Sequence, residues 1–309
     1  MATSDTMRAV VFKGPYEVTV EERPVPKIQE ENDIVVKVIY TALCGSELHV
    51  FRGHQPSGTG FIMGHEFTGE VIETGSAVKT VRLPEADGTV MKAPVEINDS
   101  ALVLMADIFP TGFFAAKNGF KDLTKEQIAD STVVLIGCGP VGLCALINAE
   151  EYKPKNLIAI DSVPSRLELA KSLGAEPWNF QTDREGLGKR VKELTEGRGA
   201  DVVIEVVGLS PALKMGFELL RPWGTISSVG VHNAEIPWTG NQAYGKNLKI
   251  QMGRCPVRSI FPEALEMLKK KQHLLGFMAD KIMPLSQAVE GYEIFDKMKA
   301  QKVIFEAEK

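Results

Sequence analysis

The spacing of apolar and polar positions changes character along the chain. Up to about residue 117 the apolar runs are short and carry no helical period. RAVVFKG (8–14) and YEVTVEERP (16–24) read as a strand pair joined across Gly14-Pro15, and DIVVKVIYTALCG (33–45) as a longer strand. EFTGEVIETG (66–75) alternates as a further strand, which together predicts a small β-rich domain. From Ser131 the rhythm becomes strand, turn, helix. STVVLIGCGPVGLCALINAEEY gives a buried strand over 132–136, a glycine-rich turn and a helix over 141–151. KNLIAIDSVPSRLELAKSLGA repeats the scheme, with a strand over 157–160 and a helix over 164–173. DVVIEVVG with PALKMGFELLRPWGTISSVG repeats it once more, and NLKIQMG adds a late strand. Such alternation predicts a parallel sheet covered on both faces. An amphipathic helix over FPEALEMLKKKQ buries Ala264, Leu265 and Leu268, a helix follows over 286–298, and KVIFEA makes a terminal strand.

The fold class expected is therefore α/β: a doubly wound parallel nucleotide-binding sheet inserted in a discontinuous β-rich domain. The boundaries fall at 1–117, 118–265 for the inserted sheet, and 266–309 for the return. Composition alters little in this picture. Apolar residues are 44% and charged residues 24%, and the net charge of -5 with no basic stripe argues against nucleic-acid partners. No run approaches the roughly 18 apolar residues of a membrane span, and MATSDTMRAVVFKG lacks the pattern of a secretory signal. Four scattered cysteines without a CxxC pair suit free thiols in a reducing compartment, so a cytoplasmic enzyme is expected.

GCGPVG sets Gly137, Gly139 and Gly142 in GxGxxG spacing, directly after a strand and opening a helix. The first glycine permits the tight turn, the second lets backbone approach a diphosphate, and the third lets the helix pack on the strand. Pro140 and Val141 complete the helix start, whose free amides face the anion. Asp161 closes the next strand, where it can accept hydrogen bonds from ribose hydroxyls and repel an added phosphate, which favours NAD over NADP. Arg166 pairs with Asp161 or lies along the adenosine, and keeps the second cofactor open.

Metal chemistry is the other candidate. Cys44, His65 and Asp107 offer one soft, one borderline and one hard ligand, a set suited to tetrahedral zinc with an open fourth place. Glu66 would occupy that place transiently or orient the ligands. Spacing leaves a plainer reading open, with Cys44 in the core, His65 in a turn and Asp107 capping a helix before PTGFFAAKNG.

With these residues in view, the chain resembles the medium-chain zinc-dependent alcohol and polyol dehydrogenases. CGSELHVFRG, GHEFTGEV and the buried acid before PTGF resemble that family's catalytic zinc region, and GCGPVG with Asp161 its NAD site. GRCPVRSIFPEAL and PLSQAVEGYEIFDK resemble its carboxyl-terminal part. The resemblance implies a GroES-like catalytic domain around the insertion, NAD, and one catalytic zinc on Cys44, His65 and Asp107. It places Ser46 at the substrate oxygen, His49 in a proton path to solvent and Thr111 near the nicotinamide. It also implies hydride transfer between NAD and a primary or secondary alcohol, or the matching aldehyde or ketone, in a homodimer or homotetramer. One departure stands out. After EVIETGSAVKTV the family continues through a GDRV-like strand and a four-cysteine lobe, whereas this chain jumps to RLPEADGTVMKAP. No structural zinc is expected, and neighbouring strand edges lose a partner. The alternatives are a zinc-independent carbonyl or enoyl reductase, or an impaired NAD-binding splice form of a longer dehydrogenase.

Overall fold

The computed structural model describes residues 6–78, 90–232 and 234–307. The junction read at 70–94 falls largely on residues 79–89, outside the described residues. The chain divides into two compact units, Met1–Asp107 with Leu268–Lys309, and Ile108–Met267.

The first unit opens on the expected antiparallel pair, β1 (Thr6–Gly14) and β2 (Glu17–Pro24). Tyr16 turns the corner at φ +63°. Strand β3 (Ile34–Ala42) runs into the helix Gly45–Phe51, and β4 (Phe67–Thr74) returns antiparallel to β3. Among the described residues β4 pairs only with β3 and forms an edge of its sheet, with Phe67 and Ile72 exposed.

The inserted unit carries six parallel strands: β5 (Thr132–Ile136), β6 (Asn156–Asp161), β7 (Glu176–Asn179), β8 (Ala200–Glu205), β9 (Leu220–Ser228) and β10 (Lys249–Met252). Their order is β7-β6-β5-β8-β9-β10, the doubly wound arrangement, with its switch point between β5 and β8. Every residue of β5 and β8 is buried, as strands covered on both faces require. Val134, Ile136, Ile158, Val203, Leu213 and Ile226 centre its core. The helix Ile108–Phe120 packs within this unit on the helix Pro140–Glu150. Contact there is so close that a methyl at Gly112 would meet the Ala145 amide nitrogen at 2.6 Å.

Several elements had no counterpart in the sequence reading, strand β7 and the helix Arg184–Leu194 among them. Strand β7 contains Pro177 and lies at the sheet edge, where proline is tolerated. The helix Arg184–Leu194 holds two glycines yet forms on an Asp183 cap, with Leu187 and Val191 buried on one face.

The chain returns to the first unit through β11 (Ile282–Pro284), the helix Ala288–Asp296 and β12 (Ile304–Glu306), completing the sheet order β11-β12-β3-β4. At the end of the preceding helix Lys271 is buried, while the exposed Lys269 pairs with Glu96 at 2.8 Å. Tyr292, Phe295 and Phe305 from the return pack with Val10, Leu48 and Phe51 in one core.

Candidate metal centre and nucleotide turn

Three distant segments of the first unit meet where β3 ends. Cys44 caps the helix Gly45–Phe51: its Sγ accepts from the Ser46 amide at 3.5 Å, and Glu47 returns a carboxylate to the Cys44 amide at 2.9 Å. This is a capping box with cysteine in the place of serine, so the thiol is held by the local backbone. The Glu66 carbonyl accepts from the Ala42 amide at 3.0 Å and from Thr41 Oγ1 at 2.8 Å, which pins His65 and Glu66 beside Cys44. Asp107 follows the short 3-10 turn Val103–Ala106.

Ligand atoms of Cys44, His65, Glu66 and Asp107 lie within 4.8 Å of one another. Cys44 Sγ donates to Asp107 Oδ2 at 3.2 Å, and His65 Nε2 is 3.9 Å from the same oxygen. Zinc bonds of about 2.0–2.3 Å at tetrahedral angles put neighbouring donors roughly 3.3–3.7 Å apart, so a zinc ion fits this set. Among the described residues there is no second such cluster. Burial, then the Glu66 and Asp107 carboxylates, push the Cys44 thiol far above its usual range. The neighbouring Asp107 raises the His65 imidazole. Asp107 contributes to both shifts, and the negative charge it and Glu66 bring to the cluster is of the kind a divalent cation relieves.

Glu66 and Lys302 are side chains without solvent exposure, 2.5 Å apart. Breaking such a buried pair typically costs about 3–5 kcal/mol. Burial acts against the Lys302 charge, but Glu66, Cys44 and Asp107 outweigh it and raise its pKa. Tyr292 donates to Glu47 Oε1 at 3.2 Å, and Arg52 pairs with Asp296 at 2.6 Å, so the returning segment fastens the Cys44 helix. Ser46 is exposed, with Oγ 3.4 Å from His65 Nε2. His49 lies one helical turn further on and is exposed, its ring centroid 6.3 Å from that of His54. Partial burial, then His54 and Arg52, lower the His49 pKa. Thr111 belongs to the other unit, buried in the first turn of the helix Ile108–Phe120.

The glycine turn follows β5 at the switch point. Gly137 has φ +97°, and a methyl there would meet Val207 Cγ2 at 2.7 Å. Gly139 is the N-cap and Pro140 opens the helix, leaving the Val141 and Gly142 amides without intrahelical partners. A methyl at Gly142 would lie 1.9 Å from the Gly137 carbonyl oxygen, whereas Gly139 faces open space up to Arg166 at 3.9 Å. Asp161 is buried: Oδ2 accepts from the Cys138 amide at 2.7 Å, and Oδ1 from the Ser162 and Val163 amides at 2.7 and 2.9 Å. It therefore braces the turn through both carboxylate oxygens. Arg166 Nη1 stands 3.9 Å from Asp161 Oδ2.

Sequence reasoning missed Glu47, Tyr292, Lys302 and Glu205. Glu47 stands three residues after Cys44, a capping-box spacing concealed by the cysteine. Glu205 ends a buried strand as Asp161 does. It is fully buried, accepting from the Val207 and Gly208 amides at 2.7 Å each and from Ser228 Oγ at 2.6 Å.

A family profile described as zinc-binding dehydrogenase matches residues 140–270, and one described as alcohol dehydrogenase GroES-like domain matches residues 30–90. Zinc-type alcohol dehydrogenase B of Aspergillus flavus is 66% identical, over 99% of this chain and 83% of that protein. That alignment runs over 354 positions against 309 residues here, so the relative has stretches without counterpart in this chain. The medium chain reductase/dehydrogenase ucsI of Acremonium sp is 45% identical, over 77% of this chain and 98% of that protein. Among solved structures, alcohol dehydrogenase TADH from Thermus sp. ATN1 is 28% identical with a TM-score of 0.85, covering 98% of this chain and 100% of that one.

The fold and site define a zinc-binding oxidoreductase with a doubly wound nucleotide domain. The chain belongs to the medium-chain zinc-dependent alcohol dehydrogenase family, in a form shorter than the Aspergillus flavus relative. It is an NAD-dependent enzyme with one catalytic zinc, interconverting alcohols and carbonyl compounds. Among the described residues no single helix is long and apolar enough to cross a membrane.

Proposed function

We propose that the protein oxidises a small primary or secondary alcohol, or reduces the matching carbonyl, with Cys44, His65 and Asp107 as the zinc ligands. The observation that carries this reading is the meeting of those three side chains from segments far apart in sequence. Bound there, zinc would supply Lewis acidity toward the substrate oxygen, and NAD would supply the hydride acceptor. The chain's own residues manage the proton. Ser46, with its hydroxyl beside His65, accepts a hydrogen bond from the alcohol and hands the proton on. His49, one turn along the same helix, passes it to solvent; its lowered pKa keeps the ring neutral and able to accept near pH 7. Each turnover releases one proton to solvent and two electrons, as hydride, to the cofactor. Glu66 orients the ligands, and Thr111 contacts the nicotinamide.

Gly137, Gly139, Pro140, Val141 and Gly142 hold the diphosphate, Asp161 the adenosine ribose and Arg166 the adenosine edge. In this division 118–265 serves the cofactor, and 1–117 with 266–309 serves the metal. The edge strand β10, with Ile250 and Met252 exposed, supports a homodimer or homotetramer. The free cysteines support a cytoplasmic setting.

The test measures bound metal and NAD-dependent oxidation across an alcohol panel on one pure sample, beside Cys44→Ala. About one zinc per chain and turnover lost in the variant are expected. Metal-free protein that reduces a conjugated carbonyl would favour the zinc-independent reductase. NAD binding without turnover in either sample would leave a nucleotide-binding protein.

A further inference from the structure

The metal cluster offers more donors than an open catalytic site uses. Three protein ligands leave a place for water or substrate, whereas four close the ion off as in a structural site. Glu66 is near enough to be the fourth. What sets it apart is Lys302, whose Nζ stands 2.5 Å from Glu66 Oε2, both side chains without solvent exposure. Apart from that pairing neither group has a hydrogen-bond partner among the described residues. The carboxylate is thus shared between one buried cation and whatever cation the cluster holds.

We propose that Lys302 is a positioning residue that keeps the metal site open, by holding Glu66 back from permanent ligation. The charges agree with this role. A Cys44 thiolate, Asp107 and Glu66 carry three negative charges, which a divalent ion and the Lys302 ammonium cancel. Without Lys302 the site is one charge short, and the metal becomes the nearest counter-charge for a buried Glu66. The carboxylate then becomes a resident ligand, and the fourth place is lost to substrate. Lys302 stands two residues before β12 and Glu66 one residue before β4, two strands that flank β3 in one sheet. Backbone bonds tie both places to the end of β3, from the Ala42 amide to the Glu66 carbonyl at 3.0 Å and from the Leu43 amide to the Val303 carbonyl at 2.9 Å, so the restraint is anchored to the sheet.

The inference rests on the metal site proposed above, and the experiment separates the two. Cobalt(II) replaces zinc in the full-length protein, and its visible spectrum is followed while imidazole, a small ligand for an open coordination place, is added. Wild-type protein should bind one cobalt and show a saturable imidazole shift. Lys302→Met should keep the cobalt, weaken imidazole at least tenfold, and release the metal to a chelator more slowly. Lys302→Arg should behave as wild type, and Lys302→Met with Glu66→Gln should regain imidazole. In steady state Lys302→Met should lower kcat while leaving the KM for NAD near wild type. Should Lys302→Met fail to fold, Glu66→Gln alone carries the test. Its resting cobalt spectrum should match wild type, because Glu66 is not a resident ligand. Imidazole binding unchanged in Lys302→Met, or a resting spectrum altered in Glu66→Gln, overturns the role of Lys302. Wild-type protein that takes up no cobalt overturns the metal site itself, and this inference with it.

Discussion

Gly142→Ala and Gly139→Ala should part company, although both add one methyl to the same turn. At Gly142 the new carbon would lie 1.9 Å from the Gly137 carbonyl oxygen and 2.8 Å from its carbon. That is far inside any van der Waals contact, and the obstacle is backbone, which cannot swing aside. The helix Pro140–Glu150 must back away from β5. Overpacking that moves backbone costs about 1–3 kcal/mol, and this case belongs at the upper end. A loss of about 3 kcal/mol lowers the melting temperature of a unit this size by roughly 6–12 °C. Gly139 has φ -70° and only Arg166 within reach, at 3.9 Å, so alanine there leaves the unliganded protein intact. What it blocks is the approach of a diphosphate, raising the Kd for NAD by roughly 10- to 100-fold. Calorimetric melting without cofactor and titration with NAD separate the two effects. Should Gly142→Ala melt with wild type, or Gly139→Ala bind NAD unchanged, the account of the turn is wrong.

Other substitutions follow from the same geometry. His49→Gln should lower kcat/KM for alcohol oxidation at pH 7 by roughly 10- to 100-fold. Because the His49 pKa is depressed, the wild-type rate should hold down to about pH 6.5 and fall below it as the ring becomes charged; a pH profile in which the variant keeps that acid limb would remove His49 from the relay. Glu205→Leu strands the Val207 and Gly208 amides and Ser228 Oγ, at about 1–3 kcal/mol for each unsatisfied group. Urea unfolding should show a loss of about 3 kcal/mol or more, with Glu205→Gln, which keeps an acceptor, losing clearly less. Asp107→Ala should lose zinc under dialysis that leaves wild type with about one ion per chain, measured by elemental analysis; retained metal would take Asp107 out of the ligand set.

Legibility in the sequence followed the range of each interaction. GCGPVG and Asp161 were readable because a glycine turn, its helix and the acid after the next strand all lie within a short stretch. The bracing of Asp161 by the Cys138 amide was not, since backbone contacts leave no residue-type signature. Cys44, His65 and Asp107 could be nominated by ligand chemistry and family order, but their meeting is a tertiary fact. Lys302 left no trace at all. In KVIFEA it looks like the polar start of a strand, and its partner Glu66 sits on the other side of the inserted unit in the chain. Strand β7 escaped because EPWN has weak strand propensity, overridden by its place beside β6.

The Glu66–Lys302 contact also orders events during synthesis. The carboxylate is made before the inserted unit and its counter-charge after it, so on the ribosome the acid must wait through residues 108–267. The inserted unit holds its own core and its own glycine turn, and can settle first. A nascent or truncated chain lacking the returning segment would thus acquire nucleotide recognition while its metal end was still unfinished. Coupling the last-made charge to the first-made ligands ties maturation of the catalytic metal to synthesis of the whole sequence between them.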